Sequence, residues 1–551
     1  MLDEHDRRAY AGRWVALVQG RVAGVGLTAE TAIAAAQLSR PKEKPQVVFV
    51  PEDAELEVAE ILQTVSRTLA PRALRAWLVG GALRDRLLGR PVHDLDFAVE
   101  GRAMAAARAV ADALHAAFYP LDDERDVGRV ILKSGAAEPF VLDFARLRGE
   151  TLAADLAARD FTVDAMAAPV DSPEALIDPL HGEADLRGKL LRLCAPTAIA
   201  DDPLRGVRAV RLAAQLGFHV DPAARAAIRA EAPRLAEISA ERRRDEFIRC
   251  VGGPRAAAAM RALDQLGLLR TLAPELLALK GLSQPADKHA LDGWEHTLAM
   301  VERLDQLLRV LGPMHDPEFA ADLTLGLAAV KLGRYRQALA AHLQQRLDGD
   351  RPLRWLLMLC ALLHDVGKPL TWSQAPDGGI HFYGHEARGA ELAAQRMTEL
   401  RFSNEEIRRA RLVIGHHLRP MHLAHSYASV VSRRAVYRYF RDLGDAGVDL
   451  AVMALGDYLA HFAGQPPAAE RWEHRLDISA QLLNAYFEQR AERVEPPSLV
   501  TGRDLMDALG LAPGPLLGEL LEAVREAQAA GDVTDKDGAL AYARQRLEAR
   551  K

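Results

Sequence analysis

Two aspartates that alternate with apolar residues, Asp94 and Asp96 in DLDFAVE, come soon after a glycine pair, Gly80 and Gly81 in WLVGGALRDRLLGRP. Residues two apart on a strand point to the same face, so these carboxylates converge, and their repulsion is costly unless a cation lies between them. Mg²⁺ suits such a place, because it takes a few carboxylates and leaves its other positions to water and substrate phosphates. The glycines let backbone N–H groups come close to an anion, and Arg84, one turn further on, offers a charged donor. Taken singly, each piece is a common turn or a solvated strand end. In this order and spacing they describe a unit that holds a triphosphate and a metal ion side by side, which is what nucleotidyl transfer requires.

The elements that must position these groups read as strand, helix, strand. Trp77–Val79 ends a short buried strand, Ala82–Leu88 forms a helix closed by Gly89 and Pro91, and a second strand carries the aspartates. Glu52–Leu69 has the pattern of an amphipathic helix and Arg102–Ala117 that of an alanine-rich one, while VGRVILK and PFVLDFARLRGE read as two further strands. Asp143 sits on the second of these with alternating apolar neighbours, so it is placed to face Asp94 and Asp96 as a third carboxylate. The plain alternative is an exposed strand-end aspartate.

Two later stretches belong with this unit. In ADDPLRGVRAVRLAAQLGF, Asp201 or Asp202 caps a helix, Pro203 takes its first turn, and Arg205, Arg208 and Arg211 recur every three residues. A solvated basic stripe is the commoner fate of that pattern. With ARDFTVDAMA and the glycine–aspartate unit, however, it resembles the class II tRNA nucleotidyltransferase and poly(A) polymerase family. The resemblance implies a polymerase-beta-like nucleotidyltransferase head in which Asp94 and Asp96 hold Mg²⁺, assisted by Asp143, and Gly80, Gly81 and Arg84 meet the nucleotide. Arg159 and Asp160 match the charged pair of the family's RRDFT motif; Ala158 replaces its first arginine, and Asp164 stands where asparagine is usual. Asp202 and Arg205 match the Glu-Asp-x-x-Arg motif that reads the incoming base, with Asp201 in place of glutamate; Arg208 is counted with them as nucleotide-binding. Ile177–Gly182 matches the hinge and SAERRRDEF the neck. The implied ligands are CTP and ATP, and the implied partner is tRNA, through its acceptor stem and 3′ end.

From about Gln284 a histidine series begins: His296 in WEHT, His364-Asp365 at the end of the apolar run WLLMLCALL, His385, His416-His417 and Asp457. Imidazole and carboxylate together suit divalent transition metals. The series resembles an HD domain, the helical metal-dependent phosphohydrolase module; His296, His364, Asp365 and Asp457 match its ligand set, and His385 and His416 are candidates for a second metal. An HD fold kept only as an RNA-binding scaffold is the conservative alternative.

The 551 residues are enough for several units, and a composition 49% hydrophobic and 26% charged is that of a soluble helical protein. A net charge of −6 argues against a uniformly basic coat, and three cysteines without metal-binding spacing point to a reducing compartment. No apolar run suits a membrane span and no signal peptide pattern is present, so a cytoplasmic protein is expected. The expected fold is α+β and multidomain: a small N-terminal α/β module with a hairpin turning at Gly20 and a helix capped by Thr28 (1–50), an α/β head (51–185), an all-α neck and body (186–285), an all-α HD domain (286–465) and a helical tail (466–551). Three functional rivals remain at this stage: a sibling that adds only A, only CC or poly(A); an HD phosphohydrolase whose head only binds RNA or nucleotide; and a non-catalytic RNA-binding protein.

Overall fold

A computed structural model describes Tyr10 and residues 13–18, 21–26, 29–39, 44–50, 53–133, 139–285, 291–312, 322–349, 351–462 and 464–550. The chain divides into two compact units, residues 1–205 with 218–227, and residues 206–217 with 228–551.

The first unit opens on three antiparallel strands, β1 (Arg13–Val18), β2 (Arg21–Gly26) and β3 (Gln46–Val50), in the order β2-β1-β3. The helix Ala29–Ser39 covers one face, where Ala16, Ala32 and Ala36 are buried together. Gly20 and Thr28, the expected turn and cap, lie outside the described residues.

A six-stranded sheet follows in the order β6-β7-β8-β5-β4-β9, made of β4 (Arg75–Val79), β5 (Asp94–Glu100), β6 (Ala117–Asp122), β7 (Val127–Leu132), β8 (Phe140–Arg146) and β9 (Ala167–Pro169). All neighbours are antiparallel except β5 and β8, which run parallel. The apolar stripes of helices Asp53–Leu69 and Ala103–Leu114 share one core with Leu78, Leu95, Phe97, Leu142 and Phe144. On the opposite face Trp77, Val79 and Ala98 pack with Leu156 and Ala165. Apolar cover on both faces explains why β4 after the exposed Arg75 reads as a continuous hydrophobic run, AWLV, rather than an alternation. Phe97 and Phe144 are register partners, and their rings stack with centroids 4.7 Å apart. Each such buried side chain contributes about 1.5–3 kcal/mol. The sequence pattern does not show β6 or β9: the first is an exposed edge containing Pro120, and the second has three residues.

The second unit is built from helices. Gly293–Val310 packs on Ala446–Ala460 and on Leu353–Leu363, which is buried but for Arg354 and Trp355, while His385–Glu399 packs on Asn404–Gly415. Among the described residues no helix is long and apolar enough to cross a membrane. Three helices of this unit are tied by a buried charge cluster. Asp449, 2% exposed, accepts from Arg409 Nε at 2.7 Å and lies 2.7 Å from His342 Nε2, and Arg409 also reaches Asp445 at 2.6 Å. Burial alone would push the Asp449 carboxyl up, but the Arg409 and His342 contacts hold it below its ordinary value.

Because the folded-state pKa of Asp449 is depressed, its stabilising contribution is complete above the unfolded value of about 4 and is lost as pH falls through the folded value. Urea unfolding of Asp449→Ala at pH 7 is expected to show a loss of about 3–5 kcal/mol, the usual result of stranding one partner of a buried ion pair. The deficit should shrink as unfolding is repeated below about pH 4.

Candidate functional site

In the head, β5 turns Leu95 and Phe97 into the core and leaves Asp94 and Asp96 exposed on the other side of the pleat. Parallel pairing sets Asp96 beside Asp143 of β8, and antiparallel pairing sets it opposite Val79, the last residue of β4 before the glycine turn. Gly80 has φ +73°, a conformation that side-chain-bearing residues rarely adopt. A Cβ there would lie 3.2 Å from Asp96 Oδ2 and 3.2 Å from Arg159 Nη1, so turn, acid and guanidinium meet at one point.

Arg129, the register partner of Asp143 on β7, donates to both its carboxylate oxygens at 2.8 and 2.7 Å. Those bonds, with the fields of Asp143, Asp94 and Asp96, raise the guanidinium pKa above its ordinary value despite partial burial. Asp94, Asp96 and Asp143 face Arg129, while the nearby Arg159 is already paired with Asp155, so this corner is left negative, which a divalent cation would balance. Oxygen donors on a solvent-facing strand fit a hard ion such as Mg²⁺.

The motif ARDFTVD is placed against this corner. Arg159 donates to Asp155 Oδ2 at 3.0 and 3.1 Å, while Asp155 Oδ1 accepts the backbone N–H of Arg148 at 3.0 Å. Asp160 is buried, and one of its oxygens accepts the N–H of Phe161 at 3.0 Å. Arg205 donates to the carbonyl oxygens of Ala158 (3.0 Å), Ala198 (3.3 Å) and Arg159 (3.5 Å), and Asp202 accepts from Leu204 N at 3.2 Å as the helix Leu204–Leu216 begins. A run of contacts thus leads from Asp96 past Gly80 and Arg159 to Arg205. Arg208 belongs to the second unit, where its side chain is exposed.

The expectation that Arg84 stands ready as a phosphate donor needs correction. Its side chain is 6% exposed, donates to Asp164 at 2.6 Å and to Asp85 at 2.7 and 3.1 Å, and so braces the glycine turn from beneath. The same pair gives Asp164 its reason: a carboxylate there, rather than an amide, balances a buried guanidinium. Sequence reasoning missed Arg129 and Arg148. Burial, then the nearby Arg159 and Arg205, lowers the Arg148 pKa, so Arg148, Arg159 and Arg205 form one cationic group. Arg148 was visible in ARLRGE, whereas Arg129 emerges only once β7 is paired with β8.

A second site lies within the helical unit. His296 Nε2 is 3.1 Å from Asp457 Oδ1, and His364 Nε2 is 3.1 Å from Asp365 Oδ2. Asp365 Oδ1 faces the other way, 3.4 Å from His385 Nε2 and 4.0 Å from His417 Nε2, and those two imidazole nitrogens are 3.3 Å apart. Two donor groups result, His296/His364/Asp457 and Asp365/His385/His417, each with its ligand atoms within 4.8 Å of one another. Gly367 makes this possible: a Cβ there would strike the His385 carbonyl at 2.1 Å, so only glycine lets the turn after Asp365 press onto the start of the His385 helix.

The second-metal expectation is corrected from His416 to His417. The helix Asn404–Gly415 ends just before them; His416 Nδ1 turns back to the Leu412 carbonyl at 3.0 Å, and His417 is the one buried beside His385. Burial, then the neighbouring His364 and His385, pushes the His417 pKa down to about 3, and burial lowers that of His296, leaving both as neutral nitrogen donors. Burial alone would raise the Asp365 carboxyl, but His364 and Lys368 hold it well below its usual range. Lys368 Nζ lies 2.6 Å from Asp365 Oδ2 and donates to the buried Gln284 Oε1 at 2.7 Å. Lys368, one turn beyond His364 in HDVGK, was another residue the sequence reading passed over. This mixed set of imidazole nitrogens and carboxylate oxygens fits a divalent transition metal. A cleft of about 960 Å³ opens above it.

Comparison with known proteins gives matches along much of the chain. Residues 76–192 match the poly A polymerase head domain, 217–279 the "Probable RNA and SrmB-binding site of polymerase A", 337–454 the HD domain and 490–543 tRNA nucleotidyltransferase domain 2. The A-adding tRNA nucleotidyltransferase of Deinococcus radiodurans is 36% identical over 86% of this chain and 96% of its own length. The CC-adding tRNA nucleotidyltransferase of Geobacter sulfurreducens is 32% identical over 85% of this chain and 91% of its own. A CCA-adding enzyme solved in complex with ATP shares the fold, with a TM-score of 0.56 at 18% identity, over 89% of this chain and 96% of that one.

Two measurements test the geometry. Gly80→Ala should cost about 1–3 kcal/mol in thermal unfolding, since it forces a side chain into glycine-only backbone space beside Asp96. In an Asp94→Ala/Asp96→Ala background, which removes the head's candidate metal ligands, calorimetric titration with Mn²⁺ should lose one equivalent in His417→Ala and keep it in His416→Ala.

Proposed function

The chain belongs to the tRNA nucleotidyltransferase and poly(A) polymerase family, and from that premise we propose that it adds C, A or both to the 3′ end of tRNA. CTP and ATP are the donors, no nucleic-acid template is used, and pyrophosphate is released. The supporting observation is the contiguity of the head site: Asp94, Asp96 and Asp143 on adjoining strands, the Gly80 turn against them, and Arg159 linking that corner to Arg205.

In this reading the 3′-hydroxyl of the RNA attacks the α-phosphorus, and the bond to the pyrophosphate oxygen breaks. Asp94 and Asp96 would hold Mg²⁺, which when bound supplies charge neutralisation and a more acidic hydroxyl. Backbone N–H groups at Gly80 and Gly81 approach the triphosphate, and Arg159 adds positive charge to it. Asp160, buried and next in sequence to Arg159, acts through the loop whose Phe161 N–H it accepts. Asp143 takes part in the reaction only as far as Arg129 releases it, so Arg129 sets how acidic the corner is. At the base, an Asp202 carboxylate accepts from an exocyclic amine and an Arg205 guanidinium donates to a ring nitrogen or carbonyl, a pairing that admits C and A and refuses G and U. Arg208, further along the same helix, contributes to the nucleotide or RNA side. Little covalent chemistry falls to the protein, so positioning and electrostatics dominate.

The segments take their roles accordingly: 51–185 as catalytic head, 186–285 as base-selecting and RNA-binding neck and body, 286–465 as HD domain, 466–551 as tail, with residues 1–50 outside the chemistry. The completeness of the buried histidine–aspartate cluster supports a second activity, hydrolysis of a phosphoester, for which a divalent transition metal held by His296, His364, Asp365 and Asp457 would supply Lewis acidity. The place of work is the cytoplasm.

Purified protein offered tRNA lacking CCA, CC-ended tRNA and an unrelated RNA, with CTP or ATP singly, should extend only tRNA ends; which end accepts which nucleotide separates CCA, CC-only, A-only and poly(A) activity. Asp94→Ala/Asp96→Ala should lower incorporation about a thousandfold or more, because several kcal/mol of charge stabilisation go. His364→Ala should leave incorporation intact. Unchanged incorporation in the double variant would overturn the reading in favour of a phosphohydrolase with a binding head.

A further inference from the structure

The cleft over the histidine–aspartate cluster is larger than one phosphate needs. Arg471 and Arg475, one turn apart on the helix Ala469–Phe487, line it at some remove from the donor atoms. Arg475 donates to the Met421 carbonyl at 3.4 Å, lies 3.2 Å from His425 Nε2, and sits 5.0 Å from the centre of the Tyr458 ring. Neither arginine forms an ion pair among the described residues, and burial lowers the Arg475 pKa, the fields of Tyr458 and Asp457 offsetting only part of that cost. The Tyr458 hydroxyl beside it is buried with no hydrogen-bond partner among the described residues. A bound anion would answer both deficits.

Another part of the lining is aromatic. Tyr383 is 78% exposed and stacks on His381, with ring centres 5.0 Å apart and planes 14° from parallel. It lies two residues before His385, so a flat, open ring borders the donor cluster. A ring open on one face at the border of a charged cleft is a platform on which a nucleobase of any kind can stack.

We propose that this cleft takes the end of a single-stranded oligonucleotide in preference to a mononucleotide: the terminal phosphoester over the donor cluster, a base on Tyr383, and the next phosphate along the strand on Arg471 and Arg475. This rests on the phosphohydrolase reading of the cluster and adds to it the residues that set substrate length. In the step itself a water oxygen bonds to phosphorus, the phosphorus–oxygen ester bond breaks, and the departing sugar oxygen takes the proton that water gives up, so phosphate and a free hydroxyl result. Guanidinium forks suit a phosphodiester better than lysines would, and two of them a turn apart match a backbone rather than a point charge.

The test compares a dinucleotide bearing a terminal 3′-phosphate, a mononucleotide 3′-phosphate and p-nitrophenyl phosphate as substrates for the full-length protein with Mn²⁺. The dinucleotide should have a kcat/KM at least about tenfold higher than the mononucleotide, through KM, consistent with one stacked base and one extra phosphate contact. Arg471→Ala, at an exposed position, should collapse that ratio towards one, as should Arg475→Gln and Tyr383→Ala. Independently of turnover, a dinucleotide carrying 4-thiouridine should crosslink under ultraviolet light to the segment around Tyr383, as mapped by mass spectrometry. Equal kcat/KM for dinucleotide and mononucleotide, or crosslinks confined to the head, would overturn the proposal while leaving the hydrolase standing. Failure to hydrolyse any of the three substrates would sink the hydrolase reading and this inference with it.

Discussion

Strand register is the constraint from which the rest of the head follows. Parallel pairing of β5 with β8 fixes Asp96 alongside Asp143, and the two-residue repeat of the strand brings Asp94 to the same side. Neither acid can move away from the others without breaking ladder hydrogen bonds or unstacking Phe97 from Phe144 one residue further on. The repulsion among the three is therefore a fixed cost carried by the sheet and its two apolar cores. Arg129 offsets part of it at the one acid it can reach squarely. What remains is an electrostatic demand for a cation at a place where backbone geometry also admits an anion, and a metal–triphosphate pair meets both.

The helical unit handles the same difficulty in the opposite setting, out of water. Its carboxylates are held ionised by imidazoles and by Lys368, while burial keeps His296 and His417 neutral. Asp365 turns one oxygen to each donor group, so whatever binds one side alters the charge felt by the other. Lys368 occupies the space of a positive charge beside Asp365 and, through Gln284, ties that charge to the segment leading into the unit.

Much of this was legible from residues alone. Alternation in DLDFAVE and in VLDFAR located the strands that matter, and the glycine pair located the turn, because these signals are local. The register between the strands is not local, and so Arg129, whose meaning depends on standing opposite Asp143, went unnoticed. Arg84 was misjudged for a related reason: four residues into a short helix it faces inward, and only the distant Asp164 shows that it is a buried brace. In the histidine series, the ligand set spread over separate helices could be matched by resemblance, but choosing between two adjacent histidines required knowing how the chain leaves the helix at Gly415. The edge strand β6 and the three-residue β9 carry no pattern of their own and exist because their neighbours offer open hydrogen bonds.

The way Arg205 is anchored has a bearing on which substitutions around it can be tolerated. Its guanidinium is gripped by carbonyl oxygens of residues 158, 159 and 198, groups that every amino acid possesses. Alanine at 158 is thereby harmless to the placement of Arg205, since the contact is to its backbone carbonyl. Side chains around this pivot can be exchanged while its aim persists, because what holds it is backbone that every substitution keeps.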